Sequence, residues 1–242
     1  MKAKPVLERA ADALGYRLVA KWRAPGLPQA EKLRQVFDRH AISAVLDVGA
    51  NEGQFRDFLR LEVGFSGTIH SFEPISSLAA KMQARRGSDA LWHVHNFALG
   101  REQQLRELNI MASSKLTSFL VPRHDLVTQF ASANTIERTQ EVSVRTLDTV
   151  VPSLGLDLPR TFLKIDTQGY DHEVARGGQN TLAQVNALQT EVCVRPIYEG
   201  MPTLAQSLAL FSDLGFHPAD FSLISADEHL RAIEFDCIMV RG

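Results

Sequence analysis

From Ala44 onward, short apolar runs alternate with stretches whose apolar residues recur every three or four positions. The runs at 44–49, 68–73, 92–97, 162–166 and 187–194 predict buried strands. Segments 54–61, 76–86 and 171–176 predict helices between them, the last closed by Gly177-Gly178. After Pro202, the residues Leu204, Leu208, Phe211 and Leu214 share one helical face, and Gly215 ends it. Segments 217–224 and 233–240 then read as two strands with no helix between them. Alternating β and α units with a terminal strand pair predict a doubly wound, mostly parallel α/β sheet carrying an antiparallel edge hairpin.

Two segments depart from this pattern. Residues 101–141 have few apolar runs and many hydroxyls, among them Ser113, Ser114, Thr117 and Ser118. A connection this long either covers a binding site or is disordered. Residues 142–150 then resume strand character, with Val142 and Val144 alternating and Leu147 less cleanly placed. Residues 1–40 read as a separate N-terminal helical arm, placing the main domain at 41–242. Leu7, Leu14, Leu18 and Trp22 fall on one face, and 24–28 breaks the helix before 31–40 resumes it. Within 1–23, six basic residues oppose Glu8 and Asp12, a net charge of +4. The expectation is an apolar stripe packed on the domain or on a second subunit of a homodimer. Peripheral contact with an anionic membrane is the alternative.

Composition narrows the class further. The chain has 242 residues, 45% hydrophobic and 22% charged, with a net charge of −2, which excludes collagen-like, disordered and disulfide-scaffold classes. This balance offers no electrostatic argument for nucleic acid as a partner. Cys193 and Cys237 are too few for a disulfide framework and lack metal-ligand spacing. No apolar run approaches the roughly 20 residues of a membrane span. The first residues lack a signal-peptide core, so the expectation is a cytoplasmic protein.

The strongest local signal is Val45-Leu46-Asp47-Val48-Gly49-Ala50-Asn51-Glu52-Gly53, a strand running into a glycine turn and then a helix. Such a turn presents free N–H groups to a ligand. Glu73 closes the next strand about twenty residues on, where dinucleotide folds place an acid on ribose hydroxyls. The dehydrogenase fingerprint fails, because Asn51 and Gln54 stand where its second and third glycines belong. Asp47, two residues before Gly49, suits a cationic cofactor better than a pyrophosphate. S-adenosylmethionine, with its sulfonium and ammonium, meets that requirement.

The chain resembles the FkbM type of S-adenosylmethionine-dependent methyltransferase. The resemblance rests on 46–53, Phe72-Glu73-Pro74, 96–100, Ser113-Ser114, Arg145-Thr146-Leu147-Asp148 and Leu163-Lys164-Ile165-Asp166-Thr167-Gln168-Gly169-Tyr170-Asp171. It continues through Gly177-Gly178, Glu191, Tyr198-Glu199-Gly200 and 236–241, covering roughly 41–242 in the family's order. Gln168 stands where the family often has Glu, and Asp171 is the acid three residues on. The resemblance implies a Rossmann-like class I methyltransferase sheet of seven strands, with the C-terminal strand antiparallel between its neighbours. That order sets Cys193 and Cys237 close together. It also implies methyl transfer to oxygen, commonly a hydroxyl of a sugar, glycan or natural product.

On this reading Asp47, Gly49, Asn51 and Gly53 hold the methionine end of the cofactor. Glu73 holds the ribose diol, and Asn96 with Ala98 the adenine edge. Ser114, Tyr198 and Glu199 face a small hydroxylated acceptor. Asp166 ends a strand where ligands bind in such sheets, with Lys164 as its countercharge, and His172 is the competing base. Lys164, Glu191 and Asp236 are charges within apolar strands, so each needs a partner. His70, His93 and His95 read as structural histidines rather than metal ligands. Two other readings stay open: methylation of nitrogen or carbon, and a non-catalytic nucleoside- or nucleotide-binding regulatory module.

Overall fold

The computed structural model describes residue 11 and residues 13–16, 20–87 and 89–242. In chain order the strands are β1 (Ala44–Val48), β2 (Thr68–Phe72), β3 (Trp92–His95), β4 (Ala98–Leu99), β5 (Gln104–Met111), β6 (Ile136–Arg145), β7 (Thr161–Ile165), β8 (Ala187–Cys193), β9 (Phe216–Ala226) and β10 (Ala232–Arg241). The helices are α1 (Leu27–Arg39), α2 (Gln54–Phe58), α3 (Ser76–Arg85), α4 (Leu147–Val150), α5 (Asp171–Arg176), α6 (Gln179–Leu182) and α7 (Leu204–Asp213). A π turn over Leu59–Val63 extends α2.

Seven strands form one sheet in the order β3-β2-β1-β7-β8-β10-β9. The first five run parallel, and every residue of β1, β7 and β8 is buried. That is why these segments read as unbroken apolar runs: both faces are covered. β10 pairs antiparallel with β8 and with β9. The terminal hairpin is therefore not simply added at the edge, because its second strand inserts between β8 and the first.

The arm boundary at residue 40 needs correction. Ala30, Leu33, Val36 and Phe37 of α1 are buried, and Phe37 packs 5.0 Å from Phe162 and 5.2 Å from Phe65, ring centre to ring centre. Burying four such side chains stabilises the contact by several kcal/mol, at about 1.5–3 kcal/mol for each large one. So α1 belongs to the sheet domain. Leu7, Leu18 and the side chain of Trp22 lie outside the described residues, while Leu14 is exposed.

The stretch 101–141 is also more structured than expected. β5 pairs antiparallel with β6, and β4 lies parallel on the other side of β6, making a second, three-stranded sheet. Leu108, Ile110, Val142 and Val144 form its buried face against Ile75 and Leu78, while Leu105 is exposed. With only one face covered, apolar positions are sparse, which hid β5 and the first half of β6; the strand expected over 142–150 ends at Arg145, and Leu147–Val150 is helical. The connection left over, 112–135, is pinned down. Ser118 Oγ donates to the Gln168 carbonyl at 2.7 Å, Asn134 Nδ2 to that of Ile197 at 3.2 Å, and Tyr198 OH to that of Leu116 at 2.6 Å.

Cys193 and Cys237 are both free and buried. They are not close neighbours: Cys193 pairs with Glu234 and Cys237 with Thr190, an odd offset that sets them on opposite faces. Among the described residues no helix is long and apolar enough to cross a membrane.

Candidate active site

Where parallel strands end, the chain turns away on both sides and leaves a crevice. Here the carboxyl ends of β1, β2, β7 and β8 open into a cavity of about 580 Å³. Of the residues singled out from the sequence, it brings together Gly49, Asn51, Glu73, Ala98, Ser114, Lys164 and Asp166. Gln168, Glu191 and Asp236, also singled out, line it too, and it adds Gln189, Ser225 and Glu234, with Gln29 from α1.

The first turn is shaped by packing as much as by any ligand. Gly49 sits at φ +82°, and a Cβ there would fall 1.8 Å from the Asp166 carbonyl oxygen. Glycine thus lets the turn after β1 press against the end of β7, which sets Asp166 beside it. Asn51 also has positive φ, and its N–H donates to Glu73 Oε2 at 2.8 Å. Ile75 N–H holds Glu73 Oε1 at 2.7 Å, so the carboxylate is fixed between two backbone donors. Burial nevertheless pushes Glu73 up to about 7, against the pull of those N–H groups. Ser114 Oγ donates to Asn51 Oδ1 at 3.2 Å and ties the covering loop to this turn.

Lys164 is the cation at the centre of the site. Its ammonium lies 3.0 Å from Asp166 Oδ2 and 3.5 Å from Asp47 Oδ1. Burial would lower its pKa, but Asp166, Asp47 and Asp236 raise it. It remains an ammonium and cannot act as a base. Gln168 Nε2 bridges Asp166 Oδ1 at 3.2 Å and Glu191 Oε2 at 3.0 Å. The amide that departs from the family's Glu is thus a donor between two carboxylates.

Asp171 does not replace that acid in the cavity. It is buried beneath, near Thr190 Oγ1 at 3.4 Å, and burial followed by the charge of Asp166 pushes it up to about 7. A carboxyl with a raised folded-state pKa keeps its proton longer in the folded chain. Stability is therefore lost as pH rises from the ordinary carboxylate range through about 7. Asp171→Asn should melt with the wild type at pH 4 and outlast it at pH 8 by about 1–3 kcal/mol. Equal melting temperatures at both pH values would refute this.

Several expected site residues lie elsewhere. Asp47 is fully buried behind the turn, accepting from Ser71 Oγ at 3.1 Å, and it supports Lys164 instead of a ligand. Gly53 is required by packing, since a Cβ would meet the Trp92 ring at 2.9 Å. Asn96 is exposed and braces the chain after β2, donating to the carbonyls of Glu73 at 2.9 Å and Pro74 at 3.0 Å. The His172 ring turns to Ser207 Oγ on α7, 3.1 Å away. Tyr198 is buried as a pin, its hydroxyl on the Leu116 carbonyl and 3.2 Å from Gln168 Oε1. Glu199 is exposed beside Val121, whose carbonyl its N–H meets at 2.9 Å. His70, His93 and His95 stack at the sheet edge, with His70 Nδ1 3.0 Å from His95 Nε2. Burial, then His95 and His93, push His70 down to about 4.

Of the polar lining residues that the sequence did not single out, Gln189 and Glu234 lie on the inner strands β8 and β10. Their only signal was polarity at inward positions of otherwise apolar strands, the same signal that marked Lys164, Glu191 and Asp236. Among the described residues the cavity carries five carboxylates (Glu73, Asp166, Glu191, Glu234, Asp236) and two lysines. An anionic pyrophosphate would be repelled, whereas a sulfonium bearing an ammonium meets complementary charge. The site thus fits S-adenosylmethionine.

Sheet order, the inserted antiparallel strand and this acidic crevice together define a Rossmann-like methyltransferase of class I. Residues 47–218 match the methyltransferase FkbM domain. The chain belongs to that methyltransferase family. Curated proteins give no match. A methyltransferase FkbM from Methylobacillus flagellatus KT is similar in fold, at 15% identity and TM-score 0.49, covering 81% of this chain and 43% of that one. The chain therefore spans less than half of that structure's length. A magnesium protoporphyrin IX methyltransferase from Synechocystis PCC 6803 has 9% identity and TM-score 0.48, covering 99% and 100%. Similarities this distant carry no argument about substrate.

Proposed function

We propose that the enzyme methylates a hydroxyl oxygen of a small hydroxylated acceptor or glycan. The observation that carries this reading is Asp166, whose side chain is 32% exposed in the cavity and held by Lys164 at 3.0 Å. An alcohol must lose its proton as it attacks, and an accessible carboxylate with a fixed countercharge is suited to receive it. When bound, S-adenosylmethionine supplies an electrophilic methyl carbon on sulfur. Gly49 and Asn51 hold its methionine end, Glu73 its ribose diol, and Ala98 its adenine edge. Ser114 orients the acceptor from the covering loop. Holding acceptor and donor in line supplies a large part of the rate.

Turnover with hydroxylated acceptors, with the product's new methyl located by NMR, tests the reaction. An O–CH3 signal is expected. A methyl on nitrogen or carbon would shift the acceptor class, and tight cofactor binding without turnover would favour the regulatory module. Glu73→Ala should weaken S-adenosylhomocysteine binding by about 1.5–3 kcal/mol, since charge-assisted hydrogen bonds to the ribose are lost. An unchanged dissociation constant in calorimetry would remove the ribose assignment.

A further inference from the structure

Across the sheet from Glu73, β8 and β10 carry a second group of acids. Asp236 stands directly opposite Glu191 in the antiparallel register, and Glu234 is two residues further along the same face. Like charges facing one another across strands destabilise the pair unless something offsets them. Lys164 offsets them only in part: its charge reaches Asp236, but its ion pairs are with Asp47 and Asp166, and it does not pair with Glu191 or Glu234. Among the described residues, neither Glu191, Glu234 nor Asp236 forms an ion pair. Each is held by a neutral donor: Gln168 on Glu191 at 3.0 Å, Ser225 on Glu234 at 3.0 Å, and Gln29 on Asp236 at 2.8 Å.

A second observation is independent of these charges. Gln189, only 1% exposed, lines the same cavity with its Oε1 lacking any hydrogen-bond partner. Glu234 Oε1, on a side chain 4% exposed, is likewise without a partner. Buried acceptors left unpaired are costly, so what is missing here is a donor. A hydroxyl would satisfy the hydrogen bonds and leave the charge uncompensated. An ammonium satisfies both.

We propose that this end of the cavity is a subsite for a cationic amine, so that the acceptor carries a protonated nitrogen seated among Glu191, Glu234 and Asp236 while its hydroxyl faces Asp166. The assignment rests on the O-methyltransferase reading and narrows its acceptor to amino sugars and amino alcohols. It also accounts for the protons this corner retains. Burial raises Glu191 well above its ordinary range, and Asp166, Glu234, Asp171 and Asp236 add to the rise. Burial takes Glu234 to about 7 and lifts Asp236 as well, against the pull of Lys164 on Asp236. A bound cation stabilises the ionised forms and displaces those protons.

Calorimetry on the chain saturated with S-adenosylhomocysteine tests this with two probes of one ring, glucosamine and neutral N-acetylglucosamine. At neutral pH glucosamine should bind at least tenfold more tightly. Buffers of different ionisation enthalpy should show proton release with glucosamine alone. The isosteric variants Glu234→Gln and Glu191→Gln should each keep S-adenosylhomocysteine affinity and lose the preference. Equal binding of the two sugars, binding of neither, or a preference that survives both substitutions overturns the subsite and leaves the methyltransferase reading standing. A wild-type chain that fails to bind S-adenosylhomocysteine overturns the cofactor assignment and the subsite with it.

Discussion

Asp166→Asn should lower the methyl-transfer rate by about 10²–10⁴-fold, the usual range for a general acid–base group, with little change in S-adenosylhomocysteine affinity. The substitution keeps shape and volume, and it removes only the oxygen able to take a proton. Lys164 then loses one of its two partners but keeps Asp47 at 3.5 Å, so the fold should hold. Single-turnover kinetics beside calorimetry separates the outcomes. A large loss of cofactor affinity would assign Asp166 to the cofactor. Near-normal turnover would end its role as base. His172→Ala is the useful contrast: its ring is committed to Ser207 on α7, so turnover should remain near normal.

The second large effect is on stability. Lys164→Met should cost about 3–5 kcal/mol, the range found when one partner of a buried ion pair is removed. Asp47 is fully buried, and desolvation already raises its pKa despite the pull of Lys164 and Ser71. Without the ammonium it becomes a buried carboxylate held only by Ser71. Denaturant melts of the single variant and of Asp47→Asn/Lys164→Met give the decisive comparison. The double variant should recover part of the loss, because the orphaned charge is gone. A single-variant loss below about 1 kcal/mol would mean that water reaches Asp47 and that the pair is not structural.

How much of this was legible beforehand follows from how each signal arises. The parallel strands, the turn at Gly49, Glu73 and Asp166 were readable because burial on both faces and strand-end position leave a local imprint. β5 and the first half of β6 were missed for the opposite reason, being covered on one face only, while the end of β6 was legible from Val142 and Val144. The reading of Asp47 as a ligand contact treated nearness in sequence to the turn as nearness to the cavity. In a strand, the face a side chain takes is set by alternation, and Asp47 faces Lys164 on the neighbouring strand. His172, Tyr198 and Glu199 failed similarly: residue type and order were known, direction was not.

What the chain's own order of residues determined is the alternation of elements, the family, the cofactor class and the acids that end the strands. Those depend on contacts or patterns within a few residues. Only the tertiary structure decided that α1 joins the domain and lends Gln29 to the site. It also decided that Gln168 donates between two carboxylates, and that Glu191, Glu234 and Asp236 meet at one corner with no ion pair among the described residues. These depend on cross-strand register and on residues up to 207 positions apart coming into contact. No local pattern carries that information, because register is set by the packing of the whole sheet.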